Sequence, residues 1–531
     1  MQLTRCWRTL AAVLLVTAAT TATAQTISLR LAFSTAPNGV MFTPVQVELG
    51  NFGSTPPLAD DAQASWHVVA RNAQGAIVHD VPVRYGQLLH VEAFSEKNGM
   101  VEVATTVKRQ TGVFEVSLPF DATVSAIEVL AQGAGPTLAS GGPLARFERA
   151  SLEASAAAGK HAATLAAPSA SASTIFETGP SNARMDYVFI GDGYSAAEMA
   201  KWHADADKVI AGFMADPLFA ANRGAMNVRR VDVVSAESGV DEPDRGIYRN
   251  SALGANFNCY NIARLLCVDE AKVLATVGSV LAPDQRDVIV VVANSSRYGG
   301  SGGAVATLSM HSQSVEIALH EIGHTAFGLA DEYDVGTCSL AAEPSEGDVT
   351  LMYSRAVKWG AKINAATAVP TPAGSYPNGT VGVFQGAQYC AAGKYRPTEN
   401  SRMRTLGYPW HAVNEGLAES VFARYGAPAG PVTQSGTLST RSSANAPSAA
   451  PGYFLAGNGN VNLQMNGPAT ADFDLYLYKY IGNAWKVVAT SAGRSPSETI
   501  SYAGTSGYYY AQVKAYAGSG NYSLKYSFPA P

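Results

Sequence analysis

Charge is scarce in this 531-residue chain: Asp, Glu, Lys and Arg fill 15% of its positions, against about 25% in an ordinary soluble protein. The net charge is only −5, so no basic excess marks a nucleic-acid surface. Histidine is limited to 9 residues and cysteine to 5. No uninterrupted apolar run reaches the roughly 18 residues of a membrane-spanning helix, which excludes a span of that kind. What is present is 47% apolar residues with 50 Gly and 27 Pro, enough to bury several cores joined by turns. At about 100 to 200 residues per domain, a multidomain chain is expected.

Arg5 and Arg8 precede an apolar stretch at 10–19, and Ala22-Thr23-Ala24 stands before Gln25. That order matches a secretory signal peptide cleaved after Ala24, placing the mature protein in the periplasm or outside the cell. Cleavage removes Cys6 and leaves an even set suited to an oxidising compartment. Of the three possible connectivities, Cys259 with Cys267 and Cys338 with Cys390 is favoured; a zinc site of all four lacks paired spacing.

Composition divides the chain. After the signal peptide (1–24), short alternating runs over 25–131 predict a β-rich domain. Residues 132–181 are rich in Ala, Ser, Gly and Pro and read as a linker with a short helix at 144–157. Over 182–424 strand-like and helix-like runs alternate, which predicts an α/β catalytic domain. Its landmarks are a buried strand at 187–190, a capping box from Ser195 to Glu198, helices ending near 214 and spanning 269–281, and an apolar strand at 287–293. A second linker (425–451) leads to a C-terminal β-sandwich (452–531).

The chemistry is concentrated in His320-Glu321-Ile322-Gly323-His324. Two histidines four residues apart stack on one helix face and can grip one cation, while Glu321 stands about 100° round the helix, outside the ligand shell yet beside a water on the metal. Val315, Ala318, Leu319, Ile322 and Ala326 make the rest of the helix apolar, and Gly328 suits a left-handed C-cap. A third zinc ligand is needed; Asp331 is the first candidate and Glu332 the second. The expected cofactor is one Zn2+, and nothing calls for a structural Ca2+. Glu321 is the expected general base of peptide-bond hydrolysis. The alternating run Val305, Thr307, Ser309 is a candidate edge strand for an extended polypeptide substrate, with the glycine-rich 299–303 loop before it. Tyr408 and Arg402 are candidates for stabilising an oxyanion.

The run from His320 to Tyr333, with Gly328-Leu-Ala-Asp-Glu-Tyr333 after the second histidine, resembles the extended zinc signature of the IgA-peptidase family of secreted bacterial metallo-endopeptidases. The likeness extends to 186–194, 235–239, 393–397 and 401–403, covering about 175–425. It implies zinc, endopeptidase activity, a metzincin-like α/β fold, and Met403 in the place of the Met-turn beneath the metal. Where such sequences often carry Cys, this chain has Ser401, His411 and Asn414, and His411 is given no role. Metzincin-type signatures place Gly three and the last ligand six residues after the second histidine; here Gly328 is at four and Asp331 at seven, so the third ligand stays open.

The last segment, with Asp472-Phe-Asp-Leu475, Trp485 and Gly518-Ser-Gly-Asn-Tyr522, resembles the bacterial pre-peptidase C-terminal domain. That implies a secretion or targeting accessory; its Tyr-rich strands also suit a carbohydrate or cell-surface contact, against the alternative of plain cross-strand packing. The expectation is thus a monomeric secreted zinc endopeptidase without nucleic-acid partner. A zinc amidase acting on cell-wall peptides and a catalytically silent surface-binding protein are the other readings.

Overall fold

The computed structural model describes residues 26–528, apart from 38, 51, 53–65, 84–85, 132–141, 158–168, 426–431, 449–452, 457–458, 482–483 and 506. The expected signal peptide lies outside the described residues, as does much of the 132–181 segment. The architecture is mostly β, with several separately packed sheets.

The N-terminal part stacks two antiparallel sheets. In one, the strand Thr26–Ala36 pairs with Gly39–Gly50 and Thr111–Pro119; the other orders Ile77–Val83, Trp66–Asn72, Val124–Ala131 and Ala145–Glu148. Alternate residues such as Ile27, Leu29, Leu31, Val68, Val116, Leu118 and Ile127 fill the space between. A separate two-stranded ribbon, Leu88–Phe94 with Val101–Lys108, leaves these sheets and lies against the central part of the molecule.

The central sheet runs Ala170–Phe176, Met226–Val233, Met185–Asp192, Val288–Ala293, Ala306–Ser309 and Gly300–Ser301. Its four inner strands are parallel, with an antiparallel strand at each edge. Helices cover both faces, which is why 187–190 and 288–293 are continuously apolar. One face packs Phe189, Val290 and Val292 on Trp202 and Phe213 of the helix Met199–Ala215 and on Ala318 and Ile322 of the helix Ser314–Thr325. The other packs Val188, Ile190 and Val291 on Val273 and Val277 of the helix Glu270–Gly278. A last helix, His411–Tyr425, closes the first face with Ala418, Val421 and Phe422.

Caps and crosslinks follow the local chemistry. Ser195 and Glu198 form the expected capping box. Burial alone would raise the Glu198 pKa, but hydrogen bonds from Ser195, Ser238 and Asn294 lower it to about 2. A depressed carboxylate stabilises the fold fully above its unfolded value of about 4.3, and that contribution disappears as pH falls toward 2. In acid-unfolding measurements between pH 5 and 2, Glu198→Gln should therefore show a shallower loss of stability than the parent. Disulfides join Cys259 to Cys267 and Cys338 to Cys390.

Two segments depart from expectation. The strands Val432–Leu438 and Ser443–Ala446 fall inside the supposed 425–451 linker; the first alternates well enough to pair with Gly520–Ser527 and the second with Gly507–Ala517. The C-terminal sandwich therefore begins before 452, its two sheets closing on Leu463, Met465, Phe473, Leu475, Leu477, Val513 and Leu524. Likewise, Ala170–Phe176 in the supposed 132–181 linker is the antiparallel edge of the central sheet, where small residues suffice because most of them face solvent. Among the described residues, no helix is long and apolar enough to cross a membrane.

Candidate metal centre

The helix Ser314–Thr325 is buried all round from Ile317 to Gly323, the stretch that holds His320 and Glu321. Gly328, at φ +67°, turns the chain back just beyond it, the left-handed conformation that glycine adopts without strain. The reversal is held by Gly328 N donating to His324 O at 3.1 Å and Leu329 N donating to Gly323 O at 3.0 Å. It returns Asp331 to the histidines: Asp331 Oδ1 is 3.3 Å from His320 Nε2 and 3.1 Å from His324 Nε2.

The imidazoles are aimed by backbone carbonyls. His320 Nδ1 lies 3.0 Å from Arg402 O and His324 Nδ1 lies 2.7 Å from Leu329 O. A carbonyl only accepts, so each Nδ1 carries the hydrogen and each neutral ring turns a bare Nε2 inward. The two Nε2 atoms are 3.0 Å apart. Met403, fully buried, packs against the same helix, where a Cβ on Gly323 would stand 2.6 Å from its sulfur.

Glu332 faces away. Its carboxylate accepts hydrogen bonds of 2.8 Å from both Ser401 Oγ and Asn414 Nδ2, and its own N–H donates to Met403 O at 2.8 Å. Burial raises its pKa to about 7 despite those donors. Of the two carboxylates that follow the helix, Asp331 is therefore the one beside the imidazoles, while Glu332 braces the Met403 turn. Ser401 and Asn414, two of the three positions that depart from the resembling family, are its partners.

Sequence reasoning missed three members of the centre. Glu92, from the ribbon strand Leu88–Phe94, puts Oε1 at 2.8 Å from His320 Nε2 and completes a group with His320, His324 and Asp331 whose ligand atoms all lie within 4.8 Å of one another. Tyr333 donates its hydroxyl to Glu92, and Tyr389 donates to Asp331 Oδ2 at 2.7 Å. The signal for Glu92 was faint: His90, Glu92 and Phe94 alternate on one face of a strand, which says that two polar groups share a side but not what they face.

The donor set fits a divalent cation. Glu92 Oε1 and Asp331 Oδ1 are buried and accept no hydrogen bond, while both imidazoles present lone pairs to them. Lone pairs converging in a dry space repel unless a positive charge lies among them. Without a cation, the two carboxylates favour a proton on the imidazoles instead. Burial disfavours the imidazolium, but Glu92 and Asp331 hold His320 well above its usual range and Asp331 brings His324 up to about 9. Burial, reinforced by the Glu92 charge, pushes Glu321 up to about 8. The Glu321 carboxylate receives no hydrogen bond from the described residues, and it abuts Gly302, where a Cβ would stand 2.0 Å from its Oε2.

Two other expectations need correction, those for the edge strand and for Arg402. The strand Ala306–Ser309 is not an edge: it pairs with Val288–Ala293 on one side and with Gly300–Ser301 on the other, and Val305, Thr307 and Ser309 are all buried. The edge belongs to the glycine-rich loop, which folds back as a short strand because Gly300 fits against Thr307 O. Arg402 is committed elsewhere, its guanidinium bridging Glu316 and Asp216. Tyr408 is a half-exposed residue beyond the Met403 turn, and among the described residues its phenol takes no hydrogen-bond partner. His411 lies beside Asn378 and Gly379 rather than in the centre.

Three solved structures each overlap 18% of this chain at a TM-score of 0.15. They are the Yersinia pseudotuberculosis-derived mitogen (19% identity, 85% of that chain), the pre-peptidase C-terminal domain of a Bacillus anthracis collagenase (17%, 89%) and PliG, a periplasmic inhibitor of g-type lysozyme from Aeromonas hydrophila (14%, 85%). The segment that supplies both histidines, Glu321 and Asp331 carries a further likeness: residues 174–378 match the family model of IgA Peptidase M64, a family of metallopeptidases.

Proposed function

We propose that this protein is an exported zinc endopeptidase that cleaves polypeptides with Glu321 as general base. The observation that carries it is the convergence of His320, His324 and Asp331 on one buried point with an unpaired Glu321 carboxylate alongside. Two imidazoles and a carboxylate suit zinc, and His320, His324 and Asp331 would hold it. When bound, such a cation polarises a carbonyl and lowers the pKa of water toward about 7.

The remaining work falls to the chain. The carbonyls of Arg402 and Leu329 fix the two imidazoles, and Tyr389 holds Asp331 by the oxygen turned away from them. Glu321 takes a proton from the attacking water and passes it to the nitrogen of the departing amine, so the peptide C–N bond breaks and the carboxyl returns to its starting state. Met403 and the apolar helix face keep bulk water out beneath. Export agrees with the signal-like start and with the disulfides.

Incubating the purified protein with casein tests this. Stoichiometric zinc by elemental analysis, cleavage abolished by a chelator and recovery on adding Zn2+ are expected. Cleavage that persists after the metal has been stripped, or a metal-free protein as isolated, would sink the proposal; activity only on cell-wall fragments would move it to the amidase reading.

A further inference from the structure

The fourth member of the cluster, Glu92, comes from outside the part of the chain that builds the other three. A catalytic zinc site keeps one position open for water or substrate, whereas a closed set of protein donors marks a structural site. Here His320, His324, Asp331 and Glu92 together make the closed set. Glu92 is 5% exposed, with Oε2 accepting from Tyr333 and Oε1 directed at the imidazoles without a hydrogen bond of its own.

The strand that carries it lies along the site. Leu88–Phe94 runs against Gly300–Ser301, the true edge of the central sheet, where an extended substrate would otherwise be expected to dock. His90 stacks on Tyr389 with ring centroids 4.4 Å apart, and Phe94 meets His320 edge-on at 4.9 Å. Phe94 is seated among Tyr298, Ile317, Tyr333 and Leu406. The ribbon is tied down by polar contacts near its rim as well as by its apolar seat. Arg264 donates to Phe94 O at 2.8 Å and to Glu102 at 2.7 Å, Arg109 pairs with Glu270 at 2.6 Å, and Leu406 N donates to Gly99 O at 2.9 Å.

We propose that the ribbon Leu88–Lys108 is a built-in inhibitor of the metal centre, its Glu92 carboxylate occupying the position that water and the scissile carbonyl must take. This rests on the metallopeptidase reading above. Activity then requires the ribbon to withdraw, so the folded chain cleaves only through the fraction of molecules in which the ribbon has lifted. A fourth ligand needed for catalysis would have to leave a fifth position free, and in this arrangement Phe94 and Glu92 fill the space over His320.

The test uses the full chain loaded with Co2+, whose visible spectrum reports the ligands directly, and acetohydroxamate as a small probe of the open position. Glu92→Gln keeps the shape and the Tyr333 hydrogen bond while removing the anionic donor. Arg264→Ala, at a partly exposed anchor, leaves every cluster residue in place. If the closed form predominates, both variants should bind acetohydroxamate about ten-fold tighter or more than the parent and cleave casein faster by a similar factor, with unchanged metal stoichiometry. Equal affinity in the parent and both variants overturns the proposal, as does loss of metal from Glu92→Gln, which would make Glu92 a required ligand. Failure of parent and variants alike to bind any metal overturns the peptidase reading itself, and this one with it.

Discussion

Glu321→Gln should lower turnover by about 10²- to 10⁴-fold while metal content and thermal unfolding stay at parental values. The physical reason is that the carboxylate takes no hydrogen bond from the described residues, so its replacement by an amide of equal size breaks no structural contact. What is lost is a proton acceptor, and an amide cannot take its place. At about 1.4 kcal/mol per decade the expected loss is roughly 3 to 5 kcal/mol of transition-state stabilisation. The measurement is kcat on a quenched peptide, alongside zinc content and a melting curve. Near-parental kcat would remove Glu321 from the mechanism. Gly302→Ala offers a graded version, since its methyl would stand 2.0 Å from the Glu321 carboxylate and must push it aside.

The second large effect separates the two carboxylates that follow the helix. Asp331→Ala removes a donor that lies within 3.3 Å of both imidazoles and strands the Tyr389 hydroxyl. Zinc affinity should fall by more than the about 10- to 100-fold typical of outer-shell changes, and turnover should fall with it. Glu332→Gln should do the reverse: zinc stays bound, but one amide hydrogen now faces Ser401 or Asn414, costing about 1 to 3 kcal/mol of stability. Competition with a chromophoric chelator gives the affinities and urea unfolding gives the stabilities. Equal zinc affinity in both variants would mean that Asp331 is not a ligand.

Local patterns carried well from sequence to structure, and long-range encounters did not. The buried motif helix, the left-handed Gly328 and the Ser195–Glu198 capping box each depend on residues within about one helical turn, so spacing alone exposes them. The pairing of Cys338 with Cys390 spans 52 residues and was a choice among connectivities rather than a derivation. Glu92, on a ribbon strand, and Tyr333, in the loop after the motif helix, meet across 241 residues of chain, and no periodicity in either stretch announces the other. The edge status of Ala306–Ser309 failed for a related reason: an alternating run shows that a strand has two faces but not whether a glycine loop folds back to pair with its free side. The supposed linkers failed because Ser, Thr and Gly at exposed positions of an edge strand look like spacer sequence until a partner strand is found.

The crosslink between Cys338 and Cys390 reaches further than its own loop. Cys390 directly follows the tight turn of Gln388 and Tyr389, whose backbone N–H groups donate to the carbonyls of Asp331 and Tyr333 and whose phenol grips the Asp331 carboxylate. Thiol chemistry therefore communicates with the carboxylate of the candidate metal centre through a single peptide unit. In a reducing compartment that clamp would be missing, and the loop that holds the Asp331 carboxylate would lose one of its ties.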